Sequence, residues 1–250
     1  MTQDLFRSDA YLRECEAKVL RIDDGGIVLD RTVFYPQGGG QAGDSGSLIG
    51  SSGIVIAVAD TRKAKDDQGR PTAEILHVPA PDQAEALAAV RAGDTVVAHI
   101  DWERRHRLMR FHTATHLLCH LVPQPVDGCS ITPDYARLDF HMTDPLDKET
   151  LSAGLARLVA EAYALEVGAI SDAELDANPA LVKSMSVQPP RGSGQVRTIR
   201  IGGANGQEHI DYQPCGGTHV ANTLKIGAVV VSKIEKKSAH TRRVVLGWAA

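Results

Sequence analysis

No stretch of this 250-residue sequence approaches the ~20 consecutive apolar residues of a membrane-spanning helix. Association with a membrane is therefore not expected. Low-complexity tracts and internal repeats are also missing, so neither a disordered chain nor a repeat array is the first reading. Cysteine is scarce: Cys15, Cys119, Cys129 and Cys215 are the four present. They are too few and too scattered for a disulfide-stapled secreted domain, and reduced thiols are expected instead. The opening residues, MTQDLFRSDAYLRECEAK, lack the basic start and apolar run of a signal peptide. The expectation is a soluble, cytoplasmic protein.

Excess positive charge is lacking too. The net charge is −4, which gives no global attraction to phosphates. The distribution is uneven, however. Residues 1–100 hold ten Lys/Arg against fifteen Asp/Glu, and 144–176 hold two against eight. Residues 225–243 reverse this, with Lys225, Lys233, Lys236, Lys237, Arg242 and Arg243 against Glu235 alone. Arg104, Arg105, Arg107 and Arg110 form a second basic group. An acidic chain can still present a local basic face to phosphates.

Apolar residues make up 43% of the chain, enough for one large core or two moderate ones. Val19-Leu20 and Ile27-Val28-Leu29, separated by Asp23-Asp24-Gly25-Gly26, predict a hairpin. Tyr35 to Gly46 is a glycine-dense loop. Strands are expected at 54–58, 73–78 and 95–100, with a polar turn across 61–70. Short strands with Gly-rich turns suggest a small β-barrel or sandwich over residues 1–95. Asp101 is a helix-capping residue. From Arg104 to Leu121, Leu108, Phe111, Thr115, Leu118 and Leu121 recur at helical spacing, until Pro123. Helices are expected over 148–166 and 171–184. Strands are expected at 137–141, at 196–201 and 208–212 around the turn 202–206, and at 229–231 and 243–246. Residues 96–250 thus read as an α+β domain.

His112 and His116 stand at i and i+4, one above the other on a helix face and within reach of one metal ion. Pro214-Cys215-Gly216-Gly217-Thr218-His219 adds a thiolate and an imidazole around two glycines, which favour a tight loop. Two donors from a helix and two from a loop can build a tetrahedral site, and nitrogen with sulfur suits Zn²⁺. His120 continues the histidine stripe, so His116, His120, Cys215 and His219 form an alternative set. Cys119 and His120 also read as the buried end of the helix, Cys129 as a small core residue and His141 as a strand-end histidine. The site is not that of a zinc protease, because Thr113 occupies the position where a zincin has its Glu.

Trp102-x2-Arg105-x3-Met109-Arg110-x-His112-Thr113-Ala114-Thr115-His116-Leu117-Leu118, Arg137-Leu138-Asp139-Phe140 and Cys215-Gly216-Gly217-Thr218-His219 resemble the editing domain of alanyl-tRNA synthetase. More distantly they resemble the threonyl enzyme. Phe34-Tyr35-Pro36-Gln37-Gly38-Gly39-Gly40-Gln41-x2-Asp44-x-Gly46 is similar to the Gly-rich motif that precedes that domain. The chain looks too short for the aminoacylation domain and without a long C-terminal extension. It therefore looks like a free-standing alanyl-tRNA editing protein of the AlaX group, medium form.

The resemblance implies a translation-factor-like barrel (1–95) followed by a zinc-containing editing domain (96–250). It implies deacylation of Ser-tRNA(Ala) and Gly-tRNA(Ala) without aminoacylation. His112, His116, Cys215 and His219 would hold Zn²⁺. Thr115 would line the pocket and grip a serine hydroxyl, and His219 is expected to be the labile donor. Gly38, Gly39, Gly40, Gln41 and Asp44 are expected at the acceptor end of tRNA, with Arg242 and Arg243 on its phosphates. Gln124 corresponds less securely to a pocket glutamine. A zinc hydrolase of a small ester or amide and a zinc-stabilised tRNA-binding module are the rival functions.

Overall fold

Side chains that alternate between core and solvent shape the first part of the chain. The computed structural model describes residues 2–189, 194–203 and 208–249. Chain contacts divide it into Met1–Gly38 with Ala42–His106, and Gly39–Gln41 with Arg107–Ala250. The first unit contains β1 (Gln3–Asp4), β2 (Glu14–Asp23), β3 (Gly26–Leu29), β4 (Arg31–Thr32), β5 (Gly46–Gly50), β6 (Val55–Lys65), β7 (Pro71–Pro79), a short helix α1 (Ala84–Ala88) and β8 (Thr95–Ile100). β1 and β4 form a small parallel pair. The other six strands close into a barrel in the order β2-β3-β7-β6-β5-β8.

In β8, Val96, Ala98 and Ile100 point inward while Val97 and His99 face out, the period of two that a pleated strand imposes. Val19, Ile27, Leu29, Phe34, Leu48, Ile56 and Val58 complete that core. The predicted hairpin of β2 and β3 is present, with Asp23 opposite Gly26. Two expectations need correction. β6 runs on to Lys65, so the polar turn begins later than residue 61. β8, placed next to the 95/96 boundary in the sequence reading, is a barrel strand.

His77 is fully buried in this unit. Its Nδ1 donates to the Ile27 carbonyl at 3.0 Å, and its Nε2 lies 2.8 Å from the Thr32 hydroxyl. Burial pushes its pKa down to about 4, against some support from the Ile27 carbonyl. The unfolded chain therefore takes up a proton near pH 6.5 while the folded chain refuses it until about pH 4. Stability is full above pH 6.5 and falls as pH drops through that window, by about 3 kcal/mol. Chemical denaturation at pH 7.5 and pH 4.5 should show this loss, and in His77→Gln the difference between the two pH values should shrink by about that amount.

The second half contains α2 (Trp102–Leu121), β9 (Val126–Ile131), β10 (Ala136–His141), α3 (Lys148–Ala160), β11 (Leu165–Ser171), α4 (Asp172–Ala177), β12 (Gln195–Gly202), β13 (His209–Pro214), β14 (Val229–Ser238) and β15 (Thr241–Trp248). One antiparallel sheet has the order β14-β15-β10-β9, and a smaller one β11-β12-β13. Most of the turn expected at 202–206 lies outside the described residues.

The helix expected over 148–166 stops early. Ala162 adopts a left-handed φ of 54°, the usual C-terminal stop made here without the usual glycine. The chain then enters β11, whose residues are mostly exposed. α4 is shorter than the expected 171–184. Ser171 and Glu174 form a capping box at its start, and Pro179 keeps Asn178 out of helical geometry. β5 and β9 carried no clear signal in the sequence. No helix among the described residues is long and apolar enough to cross a membrane.

Candidate metal centre

α2 begins as the sequence suggests, with Asp101 accepting from the Arg104 amide at 3.1 Å. From Leu108 to Cys119 nearly every side chain is buried, Arg110 excepted. A helix buried all round cannot leave His112, Thr113, Thr115 and His116 without partners, since each unmet polar group costs on the order of 1–3 kcal/mol. The partners come from α2's own carbonyls, from β13 and the loop after it, and from the segment Gly39–Gln41.

Cys215 Sγ lies 3.4 Å from His112 Nε2 and 3.3 Å from His219 Nε2. One donor atom from each of His112, His116, Cys215 and His219 falls within 4.8 Å of all the others. Zinc-type bonds of about 2.0–2.3 Å in a tetrahedron put donor atoms about 3.3–3.8 Å apart, so the set can hold a metal ion. Gly217 makes room for it. A side chain there would place Cβ 2.1 Å from His112 Cε1.

What stands behind the imidazoles decides where their lone pairs point. His116 Nδ1 faces Asp211 Oδ2 at 2.8 Å. Asp211 is itself held by the Lys183 ammonium and by Gln213 Nε2 at 2.8 Å. His112 Nδ1 faces Gln41 Oε1 at 2.7 Å. His219 Nδ1 lies 3.2 Å from Thr113 Oγ1, whose own proton goes to the Met109 carbonyl at 3.0 Å. Each Nδ1 thus faces an oxygen, and each Nε2 is turned toward the centre. This is how metal-ligating histidines are commonly oriented.

Electrostatics agree with a thiolate at the centre. Burial raises the Cys215 pKa, but the charges of His112 and His219 and hydrogen bonds from His112 and His116 outweigh it and hold the thiol well below its usual range. Burial and the charge of His112 lower His219 to about 3. Burial opposes protonation of His116 as well, but Asp211 and, after it, Cys215 lift it to about 9; a metal ion at the centre would take the place of the Nε2 proton.

The structure sorts the remaining candidates. His120 is exposed at the end of α2, so the alternative donor set fails. Burial raises the thiols of Cys119 and Cys129 to about 12, as expected of packing residues. Thr115 is 3% exposed and its hydroxyl donates to the His112 carbonyl at 2.7 Å. Gln124 is exposed, and the glutamine beside the cluster on β13 is Gln213.

Four expected substrate contacts are engaged within the protein, Gln41 among them, fully buried against His112 and Thr218. Asp44 is fully buried and pairs with Arg105, also fully buried, so its carboxylate has no surface to offer. Arg243 makes a two-pronged pair with Asp139, at 2.7 and 2.8 Å. Arg242 is 8% exposed and donates to the carbonyls of Ser238, Thr241 and Thr143. Of the four arginines 104, 105, 107 and 110, Arg105 is fully buried and the others are partly so. Each guanidinium donates to a backbone carbonyl, of Gly43, Val33, Pro133 and Ile226 respectively.

Sequence reasoning missed Asp211, Lys183, Thr113 and the burial of Gln41 against His112 and Thr218. Asp211 carried a readable signal. It stands on a strand that leads straight into Cys215, and strand side chains two apart, such as Asp211 and Gln213, share a face.

Two family models match parts of the chain. Residues 9–104 match tRNA synthetases class II (A), and residues 196–245 match the second additional domain of threonyl and alanyl tRNA synthetases. Fold and site thus define a relative of synthetase domains. The chain is 32% identical to the alanyl-tRNA editing protein AlaX-M of Saccharolobus solfataricus over 248 residues, 98% of each chain. It is 30% identical to the AlaX-M protein of Methanosarcina acetivorans, again over 98% of each. It is also 34% identical to alanine–tRNA ligase of Saccharolobus islandicus, across 94% of this chain but 25% of that enzyme. The chain belongs to the AlaX-M family of alanyl-tRNA editing proteins.

Proposed function

We propose that this protein is a trans-editing deacylase. It hydrolyses the ester joining serine or glycine to alanine tRNA, and it does not aminoacylate. The observation that carries this reading is the convergence of His112, His116, Cys215 and His219 in a chain aligned end to end with alanyl-tRNA editing proteins. The work is divided between a translation-factor-like barrel, which the sequence bounds at 1–95 and β8 extends to Ile100, and the editing domain that follows it, and the partner is the acceptor end of tRNA. The cytoplasm, where tRNA is charged, is the place of action.

Nitrogen and sulfur donors with their lone pairs turned inward suit Zn²⁺. Bound there, zinc supplies Lewis-acid polarisation of the ester carbonyl. His219 has a hydroxyl behind it, where His116 has a carboxylate and His112 a carboxamide oxygen. It is therefore the donor least firmly oriented and our choice for the one that yields to substrate.

Thr115 spends its proton on the His112 carbonyl, which leaves its oxygen as an acceptor. A serine hydroxyl can donate to it, and an alanine methyl cannot. Sites that hydrogen-bond a substrate hydroxyl discriminate more strongly than apolar pockets do. Glycine has no hydroxyl and enters by its size. Gly39 is exposed, and nothing lies within 4 Å of where its Cβ would be. With Gly38 it is the part of the Gly-rich segment suited to backbone contact with the tRNA end.

The test is deacylation of serine, glycine and alanine, each charged on alanine tRNA. Serine and glycine should be removed at least ~100-fold faster than alanine. Loss of all three at one rate would leave only an unspecific esterase.

A further inference from the structure

The Gly-rich segment contains one side chain that no substrate role explains. Gln41 is fully buried and belongs to the unit that carries the metal centre. We propose that Gln41 is a positioning residue that clamps the helix-borne and loop-borne halves of the metal site together and fixes His112 with its Nε2 toward Cys215. The inference rests on the zinc reading above.

The orientation of the Gln41 amide is set by its neighbours. The Thr218 amide donates to Oε1 at 3.2 Å, and Nε2 donates to the Thr218 hydroxyl at 2.9 Å. A backbone N–H requires an acceptor, so the atom facing it is the oxygen. The same oxygen lies 2.7 Å from His112 Nδ1, and that nitrogen must then be the donor. His112 comes from α2, while Thr218 lies between the donors Cys215 and His219. One carboxamide thus ties both pairs of donors.

The surrounding glycines suit this clamp. Gly40 has φ 86°, and its Cβ would lie 2.8 Å from Cys129 Sγ. Its bareness lets the backbone lie against β9, where the Ile131 amide donates to the Gly40 carbonyl at 2.7 Å and Gln41 bridges Ile131 in parallel. A Cβ on Gly217 would come within 2.9 Å of Gln41 Oε1 as well as striking His112. Gly40 and Gly217 therefore deliver Gln41 and leave space for its bond to His112.

The experiment compares zinc affinity, by competition with a chromophoric chelator, for wild type, Gln41→Met, Gln41→Glu and Thr218→Ala. Melting temperatures in excess chelator report folding separately. Gln41→Met fills the space without an acceptor and should weaken zinc binding by ~10–100-fold. Gln41→Glu keeps an oxygen facing His112 and should restore most of that affinity. Thr218→Ala removes the hydroxyl that anchors Gln41 Nε2 and should weaken binding a few-fold. Gln41→Met that binds zinc like wild type, or Gln41→Met and Gln41→Glu losing affinity equally, would overturn the clamp. Should Gln41→Met not fold, an unchanged affinity in Thr218→Ala overturns it and a weakened one supports it. Wild type that takes up no zinc defeats the metal reading itself, and the clamp falls with it.

Discussion

Cys215→Ala is expected to lose its zinc and to lower kcat/KM for Ser-tRNA(Ala) by at least ~100-fold, since even residues behind metal ligands cost ~10–100-fold when removed. Cys215 is the one sulfur donor of the cluster and lies 3.3–3.4 Å from two of the three imidazoles. Its charge also compensates the surrounding buried donors. Without it, His112, His116 and His219 are three nitrogen donors with no anion among them, and a dication is held far less well. His120→Ala is the matched control. It tests the alternative donor set directly, because His120 is exposed and outside the cluster, and both zinc content and rate should be unchanged. Metal analysis and single-turnover deacylation of the two variants decide the matter. A Cys215→Ala protein that retained zinc and rate would remove the centre from the reaction.

The second large effect concerns stability alone. Arg105→Met should cost about 3–5 kcal/mol, because it leaves the fully buried Asp44 carboxylate without its counter-charge. For a chain of this length that is a fall of about 6–20 °C in melting temperature. Arg105 donates to Asp44 Oδ1 and Oδ2 at 3.1 and 3.0 Å from Nε, and reaches the carbonyls of Ala10 and Val33. Asp44 also accepts from the Tyr35 amide at 2.6 Å. The pair is an internal brace of the first unit. The variant, assayed well below its melting temperature, should keep wild-type kcat and KM. A raised KM with unchanged melting would instead return Asp44 and Arg105 to the substrate.

How much was legible in the sequence follows from which signals are local. The donor set was readable because i, i+4 spacing on a helix and a Cys-Gly-Gly-Thr-His loop state their geometry directly. The barrel strands β2, β7 and β8 were readable from alternation, and β3 and the start of β6 from short apolar runs. The end of α3 was not, because Ala162 takes the left-handed conformation that glycine usually announces. β11 was hidden for a related reason: Val167 is 58% exposed, so its residues follow no core-facing pattern. Asp44 goes to the substrate by its place in the Gly-rich motif, and Arg242 and Arg243 by their place in a basic cluster. Their partners Arg105 and Asp139 and the carbonyl of Thr143 lie 61, 104 and 99 residues away, and only the fold reveals them. Gln41 failed in the opposite sense. It was read with its glycine neighbours as part of a tRNA-binding loop, while its hydrogen bonds span 71 residues to His112 and 177 to Thr218.

The central claim is that zinc held by these four residues makes the protein an editing enzyme. The most direct test is to strip the protein with a chelator and follow hydrolysis of Ser-tRNA(Ala) and Ala-tRNA(Ala) before and after zinc is returned. The account predicts that the stripped protein leaves both intact, and that stoichiometric zinc restores serine release with alanine spared. Full serine release by zinc-free protein, or none from the zinc-loaded protein, would contradict it.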